Sequence, residues 1–287
     1  MQPVSVDHYE NFPVASLLCP ARLRPAVTAI YWFARTADDL ADEGDAPPEQ
    51  RLALLADYRR DLECAARGIA VSTRWPKVFG PLARTMASHR MPVAAMRDLL
   101  SAFEQDVVQH DHADRAALLD YCRRSANPVG RLLLHLHGVC DEASLAQSDA
   151  ICTALQLINF WQDLGLDLQR GRSYLAQADL VRFGLDAAAL RRGEDSPALH
   201  ALLVELVDWA RQLMQSGAPL VHTLPGRAGW ELRLVVQGGL RILEKIERGG
   251  YGVLKNRPRL RWFDAPLLIA RALGMRPPAA ALESRTT

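Results

Sequence analysis

An all-α fold is predicted for this 287-residue chain by three observations. Apolar residues recur at helical spacing in long stretches, for example Val27, Ile30, Tyr31 and Ala34, and again Leu199, Leu202, Leu203, Leu206, Trp209 and Leu213. Leu, Ala and Arg are abundant while aromatics make up only 7% of the chain, which favours helix over sheet. Gly and Pro fall between the periodic stretches, where they punctuate helices. No repeat, low-complexity tract or linker interrupts the pattern, so residues 1–287 are read as one helical domain.

The helices follow in order. Residues 1–20 form a lead-in that ends at Pro20. A helix from Arg22 runs into an acidic cluster, and Gly44 with Pro47-Pro48 separates it from the next, marked by Leu52, Leu55, Tyr58 and Leu62. Trp75–Ser88 is a further helix. Pro92 opens one that reaches about His110 through Met96, Leu99, Leu100 and Phe103. Arg115–Cys140 is helical with a break at Asn127-Pro128, where proline removes a backbone donor. Gly130, just beyond, leaves room for a close approach. Ala146–Leu168 is strongly apolar, and two short helices are expected at Gln177–Phe183 and Asp186–Arg191. Ser196–Gly217 and Arg227–Arg248 are long amphipathic helices. The second carries Gly238-Gly239 at its centre, leaving space for either a ligand or a crossing helix. A last short helix spans Ala265–Leu273, and the Pro/Ala-rich tail from about residue 277 is expected to be disordered.

Several classes of function are disfavoured. Net charge is +1, so nothing pulls the chain toward nucleic acid. The five cysteines are scattered without a Cys-x-x-Cys and read as reduced thiols. The N-terminus lacks the basic and apolar regions of a signal peptide, and no long apolar stretch is free of charge, so a cytoplasmic protein is expected. No Gly-rich phosphate loop offers a seat for ATP or a nicotinamide cofactor. His110-Asp111-His112 and His135-Leu136-His137 place their imidazoles on opposite helix faces and read as structural.

Two acidic pairs carry the chemistry. In Ala34-Arg35-Thr36-Ala37-Asp38-Asp39-Leu40-Ala41-Asp42-Glu43, helical spacing stacks Asp38 on Asp42 and Asp39 on Glu43. In Asn159-Phe160-Trp161-Gln162-Asp163-Leu164-Gly165-Leu166-Asp167 it stacks Asp163 on Asp167. Like charges so placed destabilise a helix by roughly 0.2–0.5 kcal/mol per pair. Both pairs continue an apolar, inward-facing stripe, so the reading is a cation site, and oxygen-only ligands point to a hard ion such as Mg2+. Tyr31 and Arg35 share the first acidic face. Asn159 and Gln156 lie one and two turns before the second pair, where their amides need partners. Arg35 is either a salt-bridge partner or a phosphate ligand.

The stretches Ala29-Ile30-Tyr31-Trp32-Phe33-Ala34-Arg35-x-x-Asp38-Asp39-x-x-Asp42 and Leu155-Gln156-Leu157-Ile158-Asn159-Phe160-Trp161-Gln162-Asp163-x-x-x-Asp167, followed by Gly171-Arg172-Ser173-Tyr174-Leu175, resemble the squalene/phytoene synthase family. The resemblance implies an isoprenoid-synthase helical bundle around a central cavity. Asp38, Asp39, Asp42, Asp163 and Asp167 would bind Mg2+ bridged to a substrate diphosphate, with Arg35 and Tyr31 beside them. The opening Asp7-His8-Tyr9-Glu10-Asn11-Phe12-Pro13-Val14 and Ser125-Ala126-Asn127-Pro128-Val129-Gly130-Arg131 look most like the hydroxysqualene synthase branch of bacterial hopanoid biosynthesis. That likeness implies conversion of presqualene diphosphate and water to hydroxysqualene, with substrate contacts from His8, Asn11, Asn127, Gln156, Asn159, Gln162 and Arg172. Two departures fit this branch: Gln162 stands where the family usually has Arg, and Gly238-Gly239-Leu240 where a Tyr is usual. Alternatives are a head-to-head transferase making presqualene diphosphate, squalene or phytoene, and a non-catalytic lipid-binding relative. Arg257–Trp262, a basic stretch with an aromatic, is either a contact to anionic lipid at the inner membrane or a salt-bridged surface segment.

Overall fold

The computed structural model describes residues 19–277. Twelve α-helices run through them, and no strand is present among the described residues. They are α1 (Arg24–Asp42), α2 (Pro48–Ala66), α3 (Pro76–His89), α4 (Val93–Val108), α5 (Arg115–Ser125), α6 (Asn127–Leu136), α7 (Glu142–Gln169), α8 (Gln177–Arg182), α9 (Ala187–Arg191), α10 (Pro197–Gly217), α11 (Arg227–Arg248) and α12 (Ala265–Gly274).

Local chemistry sets the helix ends. The Asp114, Asp141 and Ser196 side chains accept backbone N–H groups from the first turns of α5, α7 and α10, replacing bonds a helix start cannot make itself. The Asp141 cap starts α7 several residues earlier than apolar periodicity alone predicts. Pro128 sits in the first turn of α6, so the expected break at Asn127-Pro128 divides two helices rather than bending one. Short 3-10 turns at Ala218–His222 and Trp262–Asp264 carry no periodic signal that would predict them.

Two apolar cores lie side by side. α1 packs on α2, α3 and α4 around Phe33, Tyr58 and Phe79, with the Tyr58 hydroxyl donating to the Phe33 carbonyl at 3.0 Å. α7 packs on α5, α6, α10 and α11 around Trp161, Leu203 and Leu243. α6 serves both: Leu132 and Leu136, one turn apart, enter the first core, and Leu134 enters the second.

Small residues set the approach of neighbours to α7. A Cβ on Gly130 would stand 2.4 Å from the Ser148 hydroxyl and 2.6 Å from the Cys152 sulfur, so α6 lies hard against α7. Gly239 has the same role on α11, where a Cβ would meet Met214, Ile158 and Leu155. Gly239 therefore admits α7 and α10 at this position, whereas a Cβ on Gly238 would meet only the Leu260 side chain at 3.5 Å. Among the described residues, no helix is long and apolar enough to cross a membrane.

Candidate active site

The acidic pairs occupy the C-terminal turns of α1 and α7. Helix C-termini carry partial negative charge, and neither last turn contains a basic residue, so both ends concentrate negative potential. Three arginines offset this charge. Arg35 reaches Asp39 at 2.7 Å and Glu43 at 2.9 Å, and lies 3.5 Å from Asp38. Arg172, just past α7, donates two hydrogen bonds to the Asp42 carboxylate, one of 2.8 Å, and so ties the end of α7 to the end of α1. Arg257 makes a two-pronged pair with Asp163, one bond at 2.8 Å.

The Asp38, Asp39, Asp42 and Asp163 side chains are partly exposed, although the apolar stripe leading into them predicts an inward face. The stripe comes out toward the molecule's rim: Val27, Ile30 and Tyr31 are buried, while Ala34 and Asp38 are half-buried. Asp167 is more enclosed. Burial, then the nearby Asp163 charge, pushes its carboxyl up to about 6.

Asp106 of α4 joins this group. Burial raises its carboxyl to about 7, and the Asp42 and Asp38 charges add to the rise, while Arg172 and a 2.9 Å hydrogen bond from the Tyr121 hydroxyl oppose it. Beneath it lies an aromatic stack: Tyr174 lies flat on Phe160 at 3.7 Å, and Tyr121 and the buried His112 ring pack beside them. Burial drives the His112 imidazole down, toward its neutral form.

One turn back along α7 from Asp163, a cavity of about 280 Å³ opens. Val27, Val129, Leu133, Ile151, Leu155 and Leu232 give it an apolar lining, and Gln156 and Asn159 set amides into the same wall.

The residues singled out from sequence therefore separate. Tyr31 is buried on α1 one turn before Arg35, in edge contact with Trp32. Gln156 and Asn159 face the cavity, while Asn127 is buried and accepts a 2.9 Å hydrogen bond from Thr153. Gln162 does not line the cavity; its amide donates to the Pro258 carbonyl at 2.6 Å and pins the segment that delivers Arg257. His8 and Asn11 lie outside the described residues. Asp106, Tyr121 and the Arg257 pairing are not legible in the sequence. Asp106 has no local signal, and Arg257 meets Asp163 across 94 positions, a distance no spacing rule spans.

The donor set suits a divalent cation. All its members are carboxylates, as a hard ion requires, and Asp38, Asp39, Asp42, Asp106, Asp163 and Asp167 outnumber Arg35, Arg172 and Arg257. The raised carboxyls of Asp167 and Asp106 mark charge crowding that a cation relieves. Among the described residues, however, no three such side chains converge on one point, with Asp42 and Asp163 each drawn onto an arginine.

The chain matches the squalene/phytoene synthase family over residues 6–264. A hydroxysqualene synthase of Zymomonas mobilis is 41% identical over 187 residues, 64% of this chain and 60% of that protein. One from Rhodopseudomonas palustris is 36% identical over 83% of this chain and 80% of its own length. The crystal structure of squalene synthase HpnC from Alicyclobacillus acidocaldarius superposes with a TM-score of 0.78 at 38% identity, covering 85% of this chain and 90% of that one. With matches of this extent and a helical bundle of the same shape, the chain belongs to the squalene/phytoene synthase family.

Proposed function

We propose that this protein is a hydroxysqualene synthase, which ionises presqualene diphosphate and ends the reaction with water. The single observation that carries the reading is the joining of two acidic helix ends, through Arg172 and Asp42, one turn from an apolar cavity. That arrangement supports a reading in which a diphosphate meets the charged groups and its hydrocarbon enters the adjoining space. The named relatives are hydroxysqualene synthases, which supports the same product.

Asp38, Asp42, Asp163 and Asp167, with Asp39 beside them, would hold Mg2+. When bound, the ion supplies positive charge to the departing diphosphate. Arg35, Arg172 and Arg257 pair with these carboxylates and offer planar, two-pronged donors suited to phosphate oxygens. The C–O bond then breaks with its electron pair on the diphosphate, and the cyclopropylcarbinyl cation rearranges in a cavity with a mainly aliphatic lining. Water attack, with loss of a proton, gives the alcohol. Gln156 and Asn159 line the cavity, and they are the amides we assign to positioning the water. No step needs a nicotinamide cofactor. An uncharged C30 alcohol partitions into lipid, so we place the enzyme in the cytoplasm, peripheral to the inner membrane.

Replacement of Asp38 or Asp163 by Ala tests the paired-site reading. Each variant should lose about 100-fold or more in turnover of presqualene diphosphate, the scale of losing one transition-state charge partner. Near-normal turnover in either variant would sink the paired site. Release of hydroxysqualene without reductant separates this enzyme from a head-to-head transferase that consumes prenyl diphosphates and stops at presqualene diphosphate, squalene or phytoene.

A further inference from the structure

The segment after α11 builds a surface that the proposed chemistry at the acidic pairs does not use. From Arg248 to Phe263 the chain contains no carboxylate. Arg257 is committed to Asp163, but Lys255, Arg259 and Arg261 are exposed and hold no ion pair among the described residues. Directly after them Trp262 is 86% exposed and Phe263 52% exposed, their rings edge to face at 5.9 Å. On α12, one turn apart, Ile269 and Leu273 are 52% and 63% exposed.

This display is held rigidly. The buried Asp264 carboxylate pairs with Lys245 at 2.6 Å and Arg241 at 2.9 Å, and accepts the Arg261 backbone N–H at 2.8 Å. Those bonds, with the surrounding charges, hold Asp264 at about 2 despite its burial, so the anchor stays ionised. Arg271 of α12 pairs with Glu244 of α11 and keeps that helix in place. The fold thus holds an outward aromatic pair directly after a basic, carboxylate-free stretch.

We infer that Lys255, Arg259, Arg261, Trp262 and Phe263, with the exposed face of α12, dock the protein on an anionic bilayer. The rings enter the headgroup layer, where indole and phenyl groups are favoured, and the cations meet lipid phosphates. A second copy of the chain is disfavoured as occupant, because a symmetric contact sets these like charges against each other. That the product needs a lipid phase rests on the proposed function; the surface itself does not.

Vesicle flotation tests this independently of catalysis. The full chain should float with phosphatidylcholine vesicles containing phosphatidylglycerol and stay in solution with phosphatidylcholine alone. Each of R259Q and R261Q should weaken binding about fivefold. Trp262→Ser combined with Phe263→Ser should abolish flotation while circular dichroism and turnover of detergent-dispersed presqualene diphosphate stay unchanged. Equal flotation with both vesicles, or retained binding by the aromatic double variant, overturns the assignment. So does a dimer in sedimentation velocity that the double variant dissociates, which would make the patch a contact between copies.

Discussion

At the scale of single residues, Asp106 shows how this site distributes charge. A carboxylate buried beside Asp42 and Asp38 is costly, and the Tyr121 hydrogen bond and the Arg172 charge only partly offset that cost. Its carboxyl is raised from 3.8 to about 7, so the folded state binds a proton that the unfolded chain releases. That contribution to stability is complete below the unfolded value and is lost as pH rises through the folded one. D106N keeps an oxygen for the Tyr121 hydroxyl and carries no charge. In urea melts without divalent ions, its stability relative to wild type should increase by roughly 3–4 kcal/mol between about pH 4 and about pH 8, because each pH unit separating the unfolded and folded values is worth about 1.4 kcal/mol. A pH-independent difference would show that Asp106 does not carry the burden assigned to it. Local sequence gives no sign of this residue, because its burial arises from elements that meet only in the folded chain.

Helices α1 and α7 show which features are legible and which are not. Spacing alone stacks Asp38 on Asp42 and Asp163 on Asp167, since a helix repeat converts position directly into direction. It also places Gln156 and Asn159 on the second acidic face, and they line the cavity there. The partners of these groups are hidden. In the sequence Arg257 reads as part of a basic surface stretch, and the packing around Gly165 brings it to Asp163. A Cβ at Gly165 would lie 2.3 Å from the Leu254 carbonyl oxygen, so only glycine lets that segment lie along α7. Gln162 then fastens it at Pro258. Gly165→Ala should push the segment away, with a stability cost of about 1–3 kcal/mol. It should also raise KM for the diphosphate substrate as Arg257 loses its seat. Unchanged KM would mean that Arg257 is held independently of this contact.

For the molecule as a whole, the helical class and most element boundaries follow from apolar periodicity and from the glycines and prolines between helices. The division into two cores does not, because it depends on which faces pair. α6 presents Leu132 and Leu136 to one core and Leu134 to the other, which its own pattern cannot reveal. The cavity follows from that division, since it opens where α1, α5, α6, α7 and α11 face one another. Its apolar lining beside charged helix ends is the basis of the central claim: a diphosphate is ionised at the acidic ends and the resulting cation is captured by water. The most direct measurement is a single incubation with presqualene diphosphate and Mg2+, without reductant, in water enriched in heavy oxygen. Diphosphate should be released, and hydroxysqualene should form carrying the heavy atom at its carbinol. Diphosphate release with a hydrocarbon product, or an alcohol lacking the label, would contradict capture by water.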